Sequence, residues 1–377
     1  MKALVNGRVF DGERLREDVT VLIDGERIVA LHDAGAPLPA GAERTDLAGH
    51  LLAPGFIDVQ VNGGGGVLFN DLPTPAGVQA IAASHRRHGT TGLLVTLITD
   101  QPAVMEAALG TVTEARRQGL PGLLGIHLEG PYLNPARRGV HPADRIRTPE
   151  PDALERLAGH ADTGITLVTL APEQVCEGFI ADLTARGVFV AAGHTAASFN
   201  AIQRALTEGL RGFTHLFNAM PPLGSREPGV VGAALADGTS WCSVIVDGIH
   251  VHPACLRVAL SAKPRGRLLL ITDAMPTVGT SNTHFALLGE PVERRGGHLT
   301  TRDGTLAGAH LTMDQAVRNA RDLLNVPLTE ALRMASLYPA QFLQLDHELG
   351  SIQPGYRADL VLLDAELRVQ RTWIGGR

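Results

Sequence analysis

Between Leu51 and Met275 one unit repeats: a short apolar run followed by a stretch with helical spacing. The runs are LLAPGFIDVQV, TTGLLVTL, GLLGIHLEG, ITLVTLAPE, VFVAAGHT, GFTHLFNAM, WCSVIVDGIH and RLLLITDAM, eight in all. Amphipathic segments such as PAGVQAIAASHRRHG, AVMEAALGTVTEARRQG and SFNAIQRALTEG lie between them, most ending in Gly or a basic residue as helix C-termini prefer. Apolar strands linked by helical crossovers demand a parallel sheet covered by helices. Eight such units predict an α/β fold, a closed (β/α)8 barrel of TIM type, with chemistry carried at the C-terminal ends of the strands.

Residues 1–52 have a different rhythm. KALVNGRVF, VTVLIDGERIVAL and ERTDLAGHLLAP alternate with period two and are separated by Asp-Gly turns. The tail GSIQPGYRADLVLLDAELRVQRTWIGGR returns to that pattern after two helical segments, LTMDQAVRNARDLLN and LTEALRMASLYPAQFL. Neither strand group alone is long enough to bury a core, so residues 1–52 and 346–377 are expected to form one small β-sandwich domain beside a barrel of residues 53–345.

The 377 residues are 44% hydrophobic and 19% charged, with 33 basic against 39 acidic side chains and a formal charge of −6. A nucleic-acid partner is not expected, because a basic patch should supply most of such affinity. MKALVNGRVFDG lacks a long apolar segment and no run of about 18 apolar residues occurs, so neither a signal peptide nor a membrane span is expected and the cytoplasm is the default. Cys176, Cys242 and Cys255 have no C-x-x-C spacing and read as small buried residues.

Polar residues stand at or just past the ends of the apolar runs: Gln60, Asn62, Glu129, His194, His215, His250 and Asp273. In a barrel these ends converge on one mouth. Two imidazoles and a carboxylate form a mixed N/O set suited to zinc and several other divalent ions, with positions left for water and substrate. His85 and His88, in SHRRHG, read instead as partners of the carbonyl pole of a helix, and His32, His160 and His347 have no comparable context. The GGGG at 63–66 lacks the spacing of a dinucleotide loop and reads as a flexible active-site loop.

The ordered series PGFIDVQVNG, HLEGPYLNPARRGVH, AGHT, THLFNAMPPLGSREPG, VDGIHVHP, TDAM, GTLAGAHLTMD and GYRADLVLLD resembles the N-acetylglucosamine-6-phosphate deacetylases of the amidohydrolase superfamily, from end to end. The resemblance implies hydrolysis of N-acetylglucosamine 6-phosphate to glucosamine 6-phosphate and acetate in amino-sugar catabolism. It makes Glu129, His194 and His215 the metal ligands and Asp273 the general base and then acid. It puts the sugar phosphate near Arg226 and His250, with further substrate contacts at Val140, His141, Asn218, Ala219, Asp247, Gly248, Ile249, Leu306, Ala307 and Gly308. It also implies a homodimer in which part of the phosphate site comes from the neighbouring subunit.

The residues agree with those roles. His141 is a candidate to polarise the acetyl carbonyl or hold a sugar hydroxyl, and the guanidinium of Arg226 suits paired phosphate oxygens. Binuclear relatives carry His-x-His where this chain has Gln60 and Asn62. Neutral amides bind such ions weakly, so the expectation is one divalent metal per chain, zinc first, with iron, manganese or cobalt as alternatives, and Gln60 bonded to the metal's water. Competing readings are an N-acetylgalactosamine-6-phosphate deacetylase, an N-acyl-amino-acid deacylase, a cyclic-imide hydrolase or a non-catalytic barrel. Lys2 and Lys263 are the only lysines, which weighs against the carbamylated-lysine bridge of the cyclic-imide enzymes.

Overall fold

The computed structural model describes residues 1–33, 35–159 and 161–377, so His160 lies outside the described residues. All eight apolar runs form strands of one parallel sheet. In chain order they are Phe56–Val61, Thr90–Ile98, Leu123–Glu129, Ile165–Leu170, Phe189–Ala192, Gly212–Phe213, Trp241–Ile245 and Leu268–Ile271. Every residue of the first three is buried, as a sheet packed on both faces requires.

Each strand pairs in parallel with its sequence neighbour, and the ring closes where the eighth meets the first. That seam is narrow. It consists of a bridge between Val61 and Ala274, with Asp273 N donating to Gln60 O at 3.1 Å and Asn62 N to Ala274 O at 3.0 Å. Asp58, one turn of the pleat below Gln60, adds a side-chain staple by accepting from the Thr272 hydroxyl at 2.5 Å.

Crossover helices follow from local signals. Pro75–Arg86 starts on Thr74, whose hydroxyl accepts from Gly77 N, with Pro75 in the first turn where its missing N–H costs nothing. The segment LTEALRMASLYPAQFL, which reads as one helix, is two, Leu328–Ala335 and Leu337–Phe342. The Ser336 hydroxyl turns back onto Leu332 O, and Pro339, which cannot donate an amide, sits in the first turn of the new helix.

The termini build two small sheets. One contains Lys2–Val5, Val19–Asp24, Arg27–Asp33 and Glu43–Asp46. The other joins Arg8–Phe10, Leu15–Arg16 and Leu51–Pro54 to the C-terminal strands Leu360–Leu363 and Val369–Trp373. Leu4, Val21 and Ile23 of the first meet Val9, Leu52, Leu360 and Trp373 of the second in one apolar cluster, the interior of a sandwich. Leu51–Pro54 pairs with strands from both chain ends and leads within two residues into the first barrel strand.

Four local expectations need correction. GGGG is not a flexible loop: Gly63 and Gly64 pair with Val67 and Leu68 in a tight hairpin turned by Gly65 (φ 63°) and Gly66 (φ 86°), and Gly63 N, Gly65 N and Gly66 N donate to Ala274, Val278 and Pro276 carbonyls. His85 is buried and pairs with Gly63 O at 2.9 Å instead of capping its own helix, while His88 faces Asp314 at 3.5 Å. Of the cysteines only Cys242, on a barrel strand, is buried, whereas Cys176 and Cys255 are exposed on a loop and on the outer helix Pro253–Ala262. A three-stranded meander, His284–Leu287, Glu290–Arg295 and His298–Thr300, follows the eighth strand with no counterpart in the eight-fold rhythm. Its Leu287, Val292 and Leu299 pack on Ile98, Met275 and Ala307 beside the barrel mouth.

Candidate active site

Glu129 is the last residue of the third strand, and His194, His215 and Asp273 each lie two residues past the ends of the fifth, sixth and eighth. Those three non-glycine residues have left-handed backbones, with φ of 49°, 35° and 50°. Such a turn breaks the strand and swings the side chain over the mouth, at a cost on the order of 1–3 kcal/mol each that the surrounding structure must offset.

His215 Nε2 is 3.0 Å from Glu129 Oε1 and 3.1 Å from His194 Nε2, and His194 Nε2 is 3.3 Å from the same carboxylate oxygen. All three residues are buried. His194 Nδ1 pairs with Arg137 O at 2.9 Å, which assigns the proton to Nδ1 and turns the Nε2 lone pair to the centre. Lone-pair atoms this close repel unless a proton or cation lies between them, so the donor set fits a divalent metal. His215 Nδ1 is buried with no partner among the described residues. Burial opposes ionisation of Glu129, but its bonds to His194 and His215 prevail and hold the carboxyl well below the usual range. Burial likewise opposes protonation of His215, and Glu129 outweighs it and raises the ring's pKa.

His141 enters from the long loop after the third strand, its Nε2 3.9 Å from Glu129 Oε2. Glu129, His141 and His194 each offer an atom within 4.8 Å of the others, so His141 stands close enough to share the site although spacing alone did not group it there. Thr99 donates its one hydroxyl proton to Glu129 O and is paired with His141 Nδ1 at 2.9 Å. The neutral ring therefore presents Nε2 as an acceptor. Burial, then the His194 ring, push its pKa down to about 3.

Asp273 faces this group across the first strand. Its Oδ1 accepts from Asn62 Nδ2 at 2.6 Å and from Gln60 Nε2 at 3.2 Å, and Gln60 Nε2 also donates to Glu129 Oε1 at 3.0 Å. Burial first, and the Glu129 charge second, raise the Asp273 carboxyl to about 6.

A cleft of about 340 Å³ opens over these groups. Of the residues read from the sequence, Asn62, Glu129, Val140, His141, His194, His215, Asn218, Ala219, His250, Asp273, Leu306 and Gly308 line it. Gln60 lies beneath, in the barrel. Asp247, Gly248, Ile249 and Ala307 do not line the cleft. Asp247 instead accepts from Ile249 N and His250 N and pairs with His250 Nδ1 at 2.6 Å, so it sets the loop that presents His250. Ala307 is buried in the meander cluster. Arg226 is exposed and outside the cleft of its own chain.

Sequence reasoning did not single out Arg137, Thr305 or Met275, which also line the cleft. Arg137 lies in NPARRGVH, and a basic residue in a loop following a barrel strand was the available signal. A larger open groove, about 630 Å³, lies in the small domain and contains neither imidazole nor the acid–base pairs of the barrel mouth.

Comparison with known proteins agrees with this fold. The amidohydrolase family profile matches residues 51–377, and the profile of the NagA composite domain matches residues 1–52. An N-acetylgalactosamine-6-phosphate deacetylase of Shewanella sp. (strain ANA-3) is 44% identical over 86% of this chain and 82% of its own length. The N-acetylglucosamine-6-phosphate deacetylase of Homo sapiens is 39% identical over 97% and 92%. The crystal structure of N-acetylglucosamine-6-phosphate deacetylase from Pasteurella multocida superposes with a TM-score of 0.96 at 34% identity, covering 100% of this chain and 98% of that one. With a profile match over residues 51–377 and these relatives, the chain belongs to the amidohydrolase family.

Proposed function

We propose that this enzyme hydrolyses N-acetylglucosamine 6-phosphate to glucosamine 6-phosphate and acetate. The observation that carries the reading is the division of the cleft floor: Glu129, His194 and His215 converge on one point, while Asp273, separately held and with its carboxyl near neutrality, faces the same space. The relatives' names supply the substrate class.

Glu129, His194 and His215 would hold a single divalent ion, zinc first. Bound there it would activate water near neutral pH and polarise the acetyl carbonyl. Asp273 takes the proton from the attacking water and returns it to the sugar nitrogen, which leaves poorly as an anion. His141 accepts a sugar hydroxyl through Nε2 while neutral, and a proton at that atom would convert it into a donor to the acetyl oxygen. His250 meets the phosphate. Arg226 is exposed and does not line the cleft of its own chain, which supports a homodimer in which Arg226 of a second copy completes the site.

Among the described residues no helix is long and apolar enough to cross a membrane. A cytoplasmic location remains part of the proposal, to be tested by cell fractionation.

Metal-dependent acetate release from the phosphorylated sugar, compared with the unphosphorylated sugar, tests the reading, and no release by metal-replete protein would end it. A second reading, N-acetylgalactosamine 6-phosphate as the better substrate, is favoured by the 44% identity to the Shewanella enzyme. The ratio of kcat/KM for the two epimers decides between them.

A further inference from the structure

Residues 58 and 60 alternate along the first strand, and Asn62, one residue past its end, continues that alternation. At the seam this stretch abuts the eighth strand, where Asp273 N donates to Gln60 O at 3.1 Å and Ala274 O accepts from Asn62 N at 3.0 Å and Gly63 N at 2.9 Å. The Asn62 and Asp273 backbones are thereby locked to one another. Across this lock Asn62 Nδ2 donates to Asp273 Oδ1 at 2.6 Å, and Gln60 Nε2 reaches the same oxygen at 3.2 Å. Among the described residues Asp273 Oδ2 receives no hydrogen bond.

The arrangement has a cost. With its N–H2 turned to the carboxylate, Asn62 leaves its own Oδ1 buried and without a partner. Buried polar atoms are ordinarily satisfied, and an orphan acceptor lowers stability. Packing alone therefore gives no reason for an amide at position 62, whereas service to Asp273 does.

We infer that Asn62 is a positioning residue for proton transfer by Asp273: it pins Oδ1, with Gln60 as a second and longer tie, so that Oδ2 stands free toward the cleft. The water oxygen forms the new bond to the acetyl carbon and its proton goes to Oδ2. The C–N bond then breaks, its electron pair stays on nitrogen, and the proton passes from Oδ2 to that nitrogen. The amides that stand in place of metal-binding imidazoles thus hold the acid–base group still. This inference rests on the deacetylase reading.

The test is steady-state kinetics of the full chain loaded with one equivalent of zinc. Asn62→Leu removes the donor and should lower kcat roughly 10- to 100-fold, a fraction of what a complete loss of general acid–base catalysis costs. KM should stay within about threefold, zinc content should not change, and the solvent deuterium isotope effect on kcat should rise as proton transfer becomes limiting. Asn62→His restores an N–H at nearly the same place and should recover at least about fivefold of the lost kcat. Should the leucine variant not accumulate as folded protein, Asn62→Ala, which removes the donor with a smaller side chain, carries the same expectation. Wild-type kcat in the donorless variant, loss of zinc and rise of KM together with kcat, or a histidine variant as slow as the leucine one would overturn the inference. Failure of the wild type to release acetate overturns the deacetylase reading and this inference with it, while an active wild type matched by Asn62→Leu overturns the inference alone.

Discussion

Asp273→Asn separates catalysis from stability. The amide oxygen can still accept from Asn62 and Gln60, and none of Glu129, His194 or His215 is altered, so the variant should fold and retain its metal. A neutral amide cannot take a proton from water. The expected loss is about 10²- to 10⁴-fold in kcat, which corresponds to roughly 3–5.5 kcal/mol in the barrel's reaction barrier. Stability of the metal-free protein should move the other way. The Asp273 carboxyl is raised from 3.8 to about 6 by burial and by Glu129, so above pH 6 the folded state carries a penalty that the unfolded chain does not. A difference of about two units corresponds to a penalty on the order of 3 kcal/mol. It is fully present above the folded value and fades as pH falls from 6 toward 4, because the carboxyl is then protonated in the folded state and progressively in the unfolded one. Chelator-treated Asp273→Asn should therefore be more stable than wild type in urea titrations at pH 7.5, and that margin should shrink at pH 4.5. Full activity would remove Asp273 from the mechanism. A margin independent of pH would refute the assignment of the penalty to its ionisation.

Other perturbations test other parts of the site and fold. Chelation should abolish activity and one equivalent of zinc per chain should restore it, while His215→Ala should lower metal affinity by at least about tenfold. Two tightly bound metals per chain in elemental analysis would refute the mononuclear reading. Arg226→Ala and His194→Ala should each be nearly inactive on the phosphorylated sugar, yet refolding them together should return roughly a quarter of wild-type activity, since half of randomly formed dimers contain one complete site of two. No recovery despite mixed dimers would place Arg226 at the phosphate site of its own chain, and an active Arg226→Ala would place it outside that site. Trp373→Ala removes a side chain only 1% exposed that closes the sandwich between the chain ends, and should cost about 3–5 kcal/mol in denaturant unfolding. A loss under about 1 kcal/mol would mean that the C-terminal strand contributes little to that core.

Much of the site was legible because barrel geometry converts strand ends into neighbours. Once eight apolar runs were recognised, Glu129, His194, His215 and Asp273 had to face one mouth, whatever their separation in sequence. His141 was harder to assign. It lies on an irregular loop whose path has no periodicity, and its place beside Glu129 depends on a bond to Thr99, 42 residues earlier. Arg226 also follows a strand in a long loop, but that loop leaves its guanidinium exposed outside the cleft. The GGGG hairpin was obscured for a similar reason: glycines permit flexibility, and only the carbonyls of residues 274, 276 and 278 remove it here.

The sequence by itself determined the alternation of strand and helix, the separate strand groups at the two ends and the kinds of side chain available at the barrel mouth, because those features are set by local periodicity and residue chemistry. Tertiary structure decided which atoms meet. Closure of the barrel brought Asn62 within 2.6 Å of a carboxylate 211 residues away, a contact that depends on the register of the seam and therefore on the whole ring. What reads along the chain as a missing pair of metal ligands becomes, in the folded ring, a pair of hydrogen-bond donors to Asp273.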